Sequence, residues 1–125
     1  MSALLLDSHA LLWWEADDAR LSERAREQIE GPNSVAFFSA VSLWELAIKQ
    51  ALGRLRLPDT LTSQLLEEGF QEVPITAAHG LLAGGLPRHH SDPFDRMLVA
   101  QARSEGLTIV TADSRIGAYD VPVLW

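Results

Sequence analysis

The run Leu107-Thr108-Ile109-Val110-Thr111-Ala112-Asp113 is a short apolar stretch that ends at a carboxylate. Its continuous apolar character and its β-branched residues predict a buried strand. Gly106 precedes this run and is expected to stop a helix over residues 93–104. A helix that leads directly into a buried strand is typical of an α/β protein with a parallel sheet.

Three other apolar runs precede an acidic residue in a similar way. Asp7 closes Ala3–Leu6, Glu45 follows Val35–Phe38, and Asp95 follows Glu72–Ile75 after a short helix. Because the carboxyl ends of parallel strands share one edge of a sheet, the four acids are expected to converge there. The pattern therefore predicts an α/β fold with a central, mainly parallel sheet, helices on both faces and acids at one edge.

The rest of the chain continues this alternation, and no linker divides residues 1–125, which are therefore expected to form one domain. Pro122 makes residues 121–124 an edge strand, because proline cannot donate to a central ladder. The remaining helices are predicted over residues 8–14, 21–29, 41–52, 61–68 and 77–83.

The tryptophans lead to two further predictions. Trp44 shares a helix face with Leu43 and Ile48, which predicts that it lies in the core. Trp13 and Trp14 are adjacent and cannot face the same way on a helix, so one of them is expected to be exposed. The cleft between the helix of Trp14 and the helix over residues 41–52 is a candidate groove for a protein partner.

Composition narrows the class of protein. A hydrophobic content of 47% suits a packed globular chain, and the absence of cysteine excludes disulfides, thiolate zinc sites and cysteine nucleophiles. No apolar run approaches the roughly 20 residues that span a bilayer, and no basic flank marks a signal peptide, so a cytoplasmic protein is expected. The net charge of −7 disfavours a nucleic-acid partner unless the acids are gathered in a metal site.

Each acid also has a purely structural explanation as a helix cap. Asp7 can cap the first helix, and Asp113 can cap the turn after the last long strand. The segment Ser42-Leu43-Trp44-Glu45 has the pattern of a capping box. Asp92-Pro93-Phe94-Asp95 is a good helix start, with Asp92 as the N-cap, so Asp92 is the acid least expected to bind a metal.

The position of the acids favours a metal site over caps alone. Serine or threonine would cap these helices without collecting negative charge, whereas four converging carboxylates repel one another and require protons or cations. Hard divalent cations such as Mg²⁺ and Mn²⁺ prefer oxygen ligands. The sequence therefore predicts a divalent metal centre formed by Asp7, Glu45, Asp95 and Asp113.

Four segments, taken in order, also match the spacing of a known family. They are Leu4-Leu5-Leu6-Asp7-Ser8-His9, Ser39-Ala40-Val41-Ser42-Leu43-Trp44-Glu45-Leu46-Ala47-Ile48-Lys49, His90-Ser91-Asp92-Pro93-Phe94-Asp95-Arg96-Met97-Leu98-Val99-Ala100-Gln101-Ala102 and Thr108-Ile109-Val110-Thr111-Ala112-Asp113. Over nearly its whole length the chain resembles the PIN-domain ribonucleases, and among them the VapC-type toxins of toxin–antitoxin pairs. Carried over by position, the acidic quartet of that family falls on Asp7, Glu45, Asp95 and Asp113, and its hydroxyl residue falls on Thr111.

The resemblance implies a three-layer α/β/α sandwich and Mg²⁺-dependent cleavage of RNA, with Mn²⁺ as a possible substitute. The metal would activate water, leaving a 5′ phosphate and a 3′ hydroxyl. Thr111, Arg96 and His90 are candidates to position substrate or water, whereas His89 is expected to be an exposed loop residue. A homodimer and a cognate antitoxin are the implied protein partners.

Two other functions compete with this hypothesis. A metal-dependent phosphatase or phosphoacceptor domain also gathers aspartates at strand ends, but it usually has paired aspartates after the first strand and a lysine near the last. Here Ser8 and His9 follow Asp7, and Lys49 is the last lysine of the chain. A non-catalytic binding module of the same fold is the other alternative, and the intact quartet argues against it.

Overall fold

A five-stranded sheet forms the centre of the computed structural model, which describes the whole chain, residues 1–125. The strands lie in the order β3-β2-β1-β4-β5, and every neighbouring pair is parallel. Their bounds are β1 Ser2–Leu6, β2 Ser34–Ser39, β3 Gln71–Val73, β4 Thr108–Val110 and β5 Val123–Leu124. The predicted α/β fold with a parallel sheet is confirmed.

Helices cover both faces of the sheet. They are α1 Ser8–Glu15, α2 Glu23–Glu30, α3 Ala40–Ala51, α4 Leu61–Glu67, α5 Ala77–Gly84 and α6 Pro93–Glu105, and a 3₁₀ turn spans Ile116–Ala118. Along β1 the side chains alternate, so that Leu4 and Leu6 pack with α1, α2 and α4, whereas Leu5 packs with α6 on the opposite face. The result is the predicted three-layer sandwich, with one hydrophobic core on each side of the sheet.

Proline limits two of the strands. The sequence predicts a third strand over residues 72–75, but β3 ends at Val73 because Pro74 has no N–H to continue the ladder. Pro122 precedes β5 and contributes only its carbonyl, which accepts a hydrogen bond from the Ile109 N–H at 2.9 Å. The prediction of an edge strand near the C-terminus is therefore confirmed in a shorter form.

Several helix starts agree with the sequence, and one does not. The side chain of Asp7 accepts from the Ala10 N–H, and Asp92 caps α6 with Pro93 in its first turn. The capping box predicted for Ser42 and Glu45 is wrong, because α3 begins at Ala40 with Ser39 as its N-cap. Glu45 therefore lies in the second turn of α3, where it is free for another role.

Both predictions about the tryptophans are wrong. Trp44 is 59% exposed, because the buried face of α3 is formed by Val41, Ser42 and Leu46. Trp13 and Trp14 are both half-buried against the core on the side of α1, so neither is fully exposed. None of the helices has the length and hydrophobicity that crossing a membrane requires.

Candidate metal centre

The four predicted acids meet in one small cavity at the carboxyl edge of the sheet. Its volume is about 110 Å³, and no hydrophobic residue lines it. The lining residues are Asp7, Ser8, His9, Glu45, Lys49, Asp92, Asp95, Asp113 and Arg115. Five carboxylates thus share the cavity with two fixed cations, and an excess of negative charge remains.

Asp7 lies at the base of this cavity, between β1 and α1. Its backbone N–H donates to the Val110 carbonyl at 3.1 Å, which fixes the residue between the two central strands. Burial raises the pKa of the Asp7 carboxyl, while hydrogen bonds from the Thr111 hydroxyl and the Ala10 amide oppose the shift. Asp7 is 6% exposed, so its charge is poorly solvated without a cation.

Glu45 reaches the cavity from α3. One of its carboxylate oxygens accepts a hydrogen bond from the Ser8 hydroxyl at 2.5 Å, and the other lies 3.4 Å from Lys49 Nζ. Lys49 is one helical turn beyond Glu45, at the spacing where side chains meet. Glu45 is thereby held at the rim of the cavity by Ser8 and Lys49.

Asp95 lies in the first turn of α6, where a helix N-terminus favours a carboxylate. Burial and then the nearby charge of Asp92 raise its pKa to about 7, although His90 acts in the opposite direction. Asp7 and Glu45 also contribute to the increase. The Asp95 carboxyl is therefore the one most affected by the crowding of acids.

Asp113 follows β4 and faces the same cavity. Its backbone N–H donates to the Thr111 hydroxyl at 3.0 Å, so Thr111 hydrogen-bonds both Asp113 and Asp7. Burial raises the pKa of Asp113, but hydrogen bonds from the Arg115 side chain and backbone outweigh it and leave the pKa lowered. The Arg115 Nη2 lies 3.1 Å from the Asp113 carboxylate.

His90 does not line the cavity itself but contacts two of its acids. Its Nε2 lies 2.9 Å from Asp95 Oδ2 and 3.3 Å from Asp113 Oδ2. The residue is 5% exposed, although it comes from the loop between α5 and α6. Its neighbour His89 is exposed, as the sequence predicts.

Arg96, which the sequence predicts to position substrate or water, does not line the cavity. Its guanidinium donates to the backbone carbonyls of the loop before α6 and to the Tyr119 hydroxyl. Asp92, which the sequence analysis set aside, does line the cavity while also capping α6 with its Oδ1. Ser8 and Tyr119 carry no sequence signal for a role here, whereas the spacing of Lys49 from Glu45 could have indicated its contact.

The donor set fits a hard divalent cation. All four predicted ligands are carboxylates, and single donor atoms of His90, Asp95 and Asp113 lie within 4.8 Å of one another. Burial raises the pKa of both Asp7 and Asp95, and neighbouring carboxylates add to the increase, so both groups favour the protonated form when no cation is bound. A cation would remove this repulsion and restore the ionised forms.

A wider cleft of about 530 Å³ opens beside the acidic cavity. Glu45, Lys49, Asp92 and Arg115 line both spaces, so the two are continuous. The cleft adds Arg54 and the half-buried ring of Phe94. Cations therefore flank the approach to the acids, and they offset part of the net charge of −7 where an anionic substrate would enter.

The sequence profile of the PIN domain matches residues 4–122, which is nearly the whole chain. The chain belongs to the PIN-domain family. It is 36% identical to Ribonuclease VapC22 of Mycobacterium tuberculosis, and the match covers 98% of this chain and 95% of that relative. All four acids of the cavity lie within the residues that the PIN-domain profile matches.

Solved structures of the same fold are similar over almost their full length. VapBC2 of Rickettsia felis, bound to a DNA fragment from its promoter, has a TM-score of 0.68 at 12% identity, with 98% of this chain and 97% of that chain covered. A toxin–antitoxin complex of Klebsiella pneumoniae has a TM-score of 0.68 at 17% identity, with 98% and 96% covered. At these identities the likeness establishes the fold of the PIN domain described above.

Proposed function

We propose that this chain is a Mg²⁺-dependent endoribonuclease and the toxin of a toxin–antitoxin pair. The observation that carries the proposal is the convergence of Asp7, Glu45, Asp95 and Asp113 in one cavity of a PIN domain. The relative at 36% identity is a ribonuclease, and the similar structures are complexes of toxins with antitoxins. Mn²⁺ has the same ligand preferences and should substitute for Mg²⁺.

The acids have distinct roles in this proposal. Asp7, Asp95 and Asp113 would hold the cation, because they lie deepest in the cavity or on its converging walls. When bound, the divalent ion activates water and stabilises charge on the scissile phosphate. Glu45, fixed by Ser8 and Lys49, would accept a proton from the attacking water or orient it.

The cleft beside the cavity would hold the RNA. Lys49, Arg54 and Arg115 line it and would contact phosphates on either side of the scissile bond. Thr111 would act indirectly, because its hydroxyl fixes Asp7 and Asp113 rather than facing the cleft. These groups bind the backbone of RNA and carry no information about its sequence.

RNA cleavage with and without Mg²⁺ tests the enzymatic part of the proposal. The substitutions Asp7→Asn, Glu45→Gln, Asp95→Asn and Asp113→Asn should each reduce cleavage by roughly two orders of magnitude or more. His89→Ala, at an exposed neighbour of the site, should have a mild effect. The new ends should be a 5′ phosphate and a 3′ hydroxyl.

Two outcomes would contradict the enzymatic proposal. Cyclic phosphate ends without a metal requirement would indicate acid–base catalysis through the 2′ hydroxyl. Turnover of a phosphomonoester in place of RNA would favour a phosphatase. A protein that binds RNA without cleaving it at any metal concentration would instead be a binding module of the PIN fold.

The toxin part of the proposal requires an inhibitor, which we expect to be an antitoxin encoded beside this protein. A cleft of about 570 Å³ lies near Trp14 and is lined by Ile29, Val35 and Phe70 among others. It is bounded by α2, β2 and the end of α4 rather than by α3, and it could hold an amphipathic segment. Expression of the protein alone in the cytoplasm should arrest growth, and co-expression of the neighbouring gene should restore it and yield a stable complex.

A homodimer is the second proposed assembly. Trp44, Ile48 and Leu52 follow one another at a spacing of four residues along α3 and are 59%, 37% and 62% exposed. An exposed apolar stripe of this kind is typical of a protein interface. The isologous contact of two such stripes would bury part of it, and because Ile48 and Leu52 also line the cleft proposed for RNA, the partner copy would border that cleft.

A further inference from the structure

The loop between α5 and α6 is wrapped around the side chain of Arg96. The guanidinium donates from Nη2 to the carbonyls of Ala83 at 2.9 Å and Leu86 at 3.0 Å. Its Nη1 donates to the carbonyl of Pro87 at 2.9 Å and more weakly to that of His90 at 3.4 Å. One planar guanidinium thus holds four backbone carbonyls between residues 83 and 90. A lysine could not replace it, because an ammonium group lacks the planar fork of donors.

Tyr119, near the C-terminus, makes further hydrogen bonds to the same loop. Its hydroxyl donates to the Pro87 carbonyl at 2.7 Å and accepts from the His90 N–H at 3.0 Å and from Arg96 Nη1 at 3.2 Å. Tyr119 is 5% exposed, so these bonds are shielded from water. The backbone of His90 is therefore held on both its amide and its carbonyl side.

The imidazole of His90 is held in one tautomer. Its Nδ1 accepts a hydrogen bond from the Asp92 N–H at 3.2 Å. In the neutral ring the proton must then reside on Nε2. That Nε2–H lies between the Asp95 and Asp113 carboxylates, which belong to α6 and to the segment after β4.

We propose that His90 is a positioning residue of the acidic centre, which donates from Nε2 to Asp95 and Asp113 and does not ligate the metal. A ligand nitrogen needs a free lone pair, and the Nε2 lone pair is unavailable as long as Nδ1 accepts from the Asp92 amide. Carboxylates that bind metals are themselves usually fixed by hydrogen bonds, and His90 is built to supply them. Arg96 and Tyr119 act on the centre only through the His90 that they hold.

This inference rests on the proposed metal-dependent function but is tested without RNA. Mn²⁺ binding to the metal-free protein is measured by electron paramagnetic resonance, together with the coupling of the bound ion to nearby nitrogen nuclei. We expect no coupling of the kind that a directly bound imidazole nitrogen gives. A nitrogen coupling that disappears in His90→Ala would overturn the proposal, because His90 would then be a ligand.

Substitution of His90 gives the second readout. His90→Ala should weaken Mn²⁺ binding by about tenfold or more, which is the usual effect of removing a residue that hydrogen-bonds the metal ligands. His90→Gln should restore most of the affinity, since the Gln amide places an N–H donor close to the position of Nε2. Equal losses in the Ala and Gln variants, with both folded by circular dichroism, would contradict a role as donor. Arg88→Ala, at an exposed residue of the same loop, is the matched control and should bind Mn²⁺ like the wild type.

A double-mutant cycle tests the route through His90. Tyr119→Phe should weaken Mn²⁺ binding on its own, because it removes the hydroxyl that accepts from the His90 amide. In the His90→Ala background the same change should have no further effect on Mn²⁺ affinity. Independent, additive losses would show that Tyr119 acts by another route. If the Mn²⁺ affinities and the nitrogen coupling are as expected but the protein does not cleave RNA, the proposed function fails while this inference stands.

Discussion

Asp95→Asn should make the metal-free protein more stable at pH 8, although it removes a carboxylate of the proposed metal centre. The pKa of Asp95 is raised from 3.8 to about 7, first by burial and then by the charge of Asp92. A shift of about three pKa units corresponds to about 4 kcal/mol at 1.36 kcal/mol per unit, as an upper limit. Because the Asp95 side chain is 17% exposed, solvent screening reduces this figure, and about 2 kcal/mol is expected, or roughly 8 °C in Tm.

The raised pKa of Asp95 determines how the stability of the protein depends on pH. In the folded state Asp95 keeps its proton to a higher pH than in the unfolded state, so folding of the wild type is accompanied by proton uptake between pH 3.8 and about 7. The free energy of unfolding should therefore fall as the pH rises through this window and level off above it. The variant lacks this contribution, so the two proteins should have nearly equal stability near pH 4 and differ most at pH 8.

Urea titrations in EDTA at several pH values measure this difference, and the addition of Mn²⁺ supplies the complementary test. A ligand at a hundredfold excess over its Kd stabilises by about 2.7 kcal/mol, and the variant should lose most of this gain. Asp59→Asn, at an exposed residue outside the cavity, is the matched control and should change neither quantity. An Asp95→Asn protein that is less stable at pH 8 in EDTA would show that the carboxylate supports the helix start and not a metal.

Three further predictions concern other parts of the chain. Burial and the neighbouring Glu68 carboxyl raise the pKa of Glu15 from 4.5 to about 7. The free energy of unfolding should therefore fall as the pH rises from 4.5 to about 7, and urea titrations should show that Glu15→Gln removes this fall. Ile48→Glu should shift a dimer to monomer in sedimentation experiments without loss of Mn²⁺ binding, since it places a charge in the apolar stripe of α3. Gly106→Ala should cost about 1 kcal/mol in thermal unfolding, because Gly106 ends α6 at a φ of 71°.

The convergence of the acids could be predicted from the sequence because it depends on a rule of topology. Short apolar runs that alternate with helices specify a parallel sheet, and a parallel sheet brings the residues after its strands to one edge. Asp7 and Asp113 follow neighbouring strands, and the pairing of β1 with β4 places them side by side. This convergence follows from the strand order alone and does not depend on the direction of any side chain.

The environment of the acids could not be predicted, because it depends on which way side chains leave the backbone. His90 and Arg96 are six residues apart, and nothing in their spacing tells that one turns towards Asp95 and Asp113 while the other supports the loop. Trp44 shows the same limit in a helix. The helix has apolar residues on more than one side, and periodicity does not say which side packs against the sheet.

The position of Asp7 also determines how the proposed metal centre would lose a bound cation. β1 is paired on both sides, and the Asp7 amide extends this pairing by its bond to Val110, whereas β3 and β5 have one neighbour each. Amide exchange at residues 5–7 should accordingly be among the slowest in the chain, while the sheet edges open first. Opening of the edge strands alone leaves Asp7 and its bond to Val110 in place. Release of a bound cation on heating should therefore coincide with global unfolding and should not precede it.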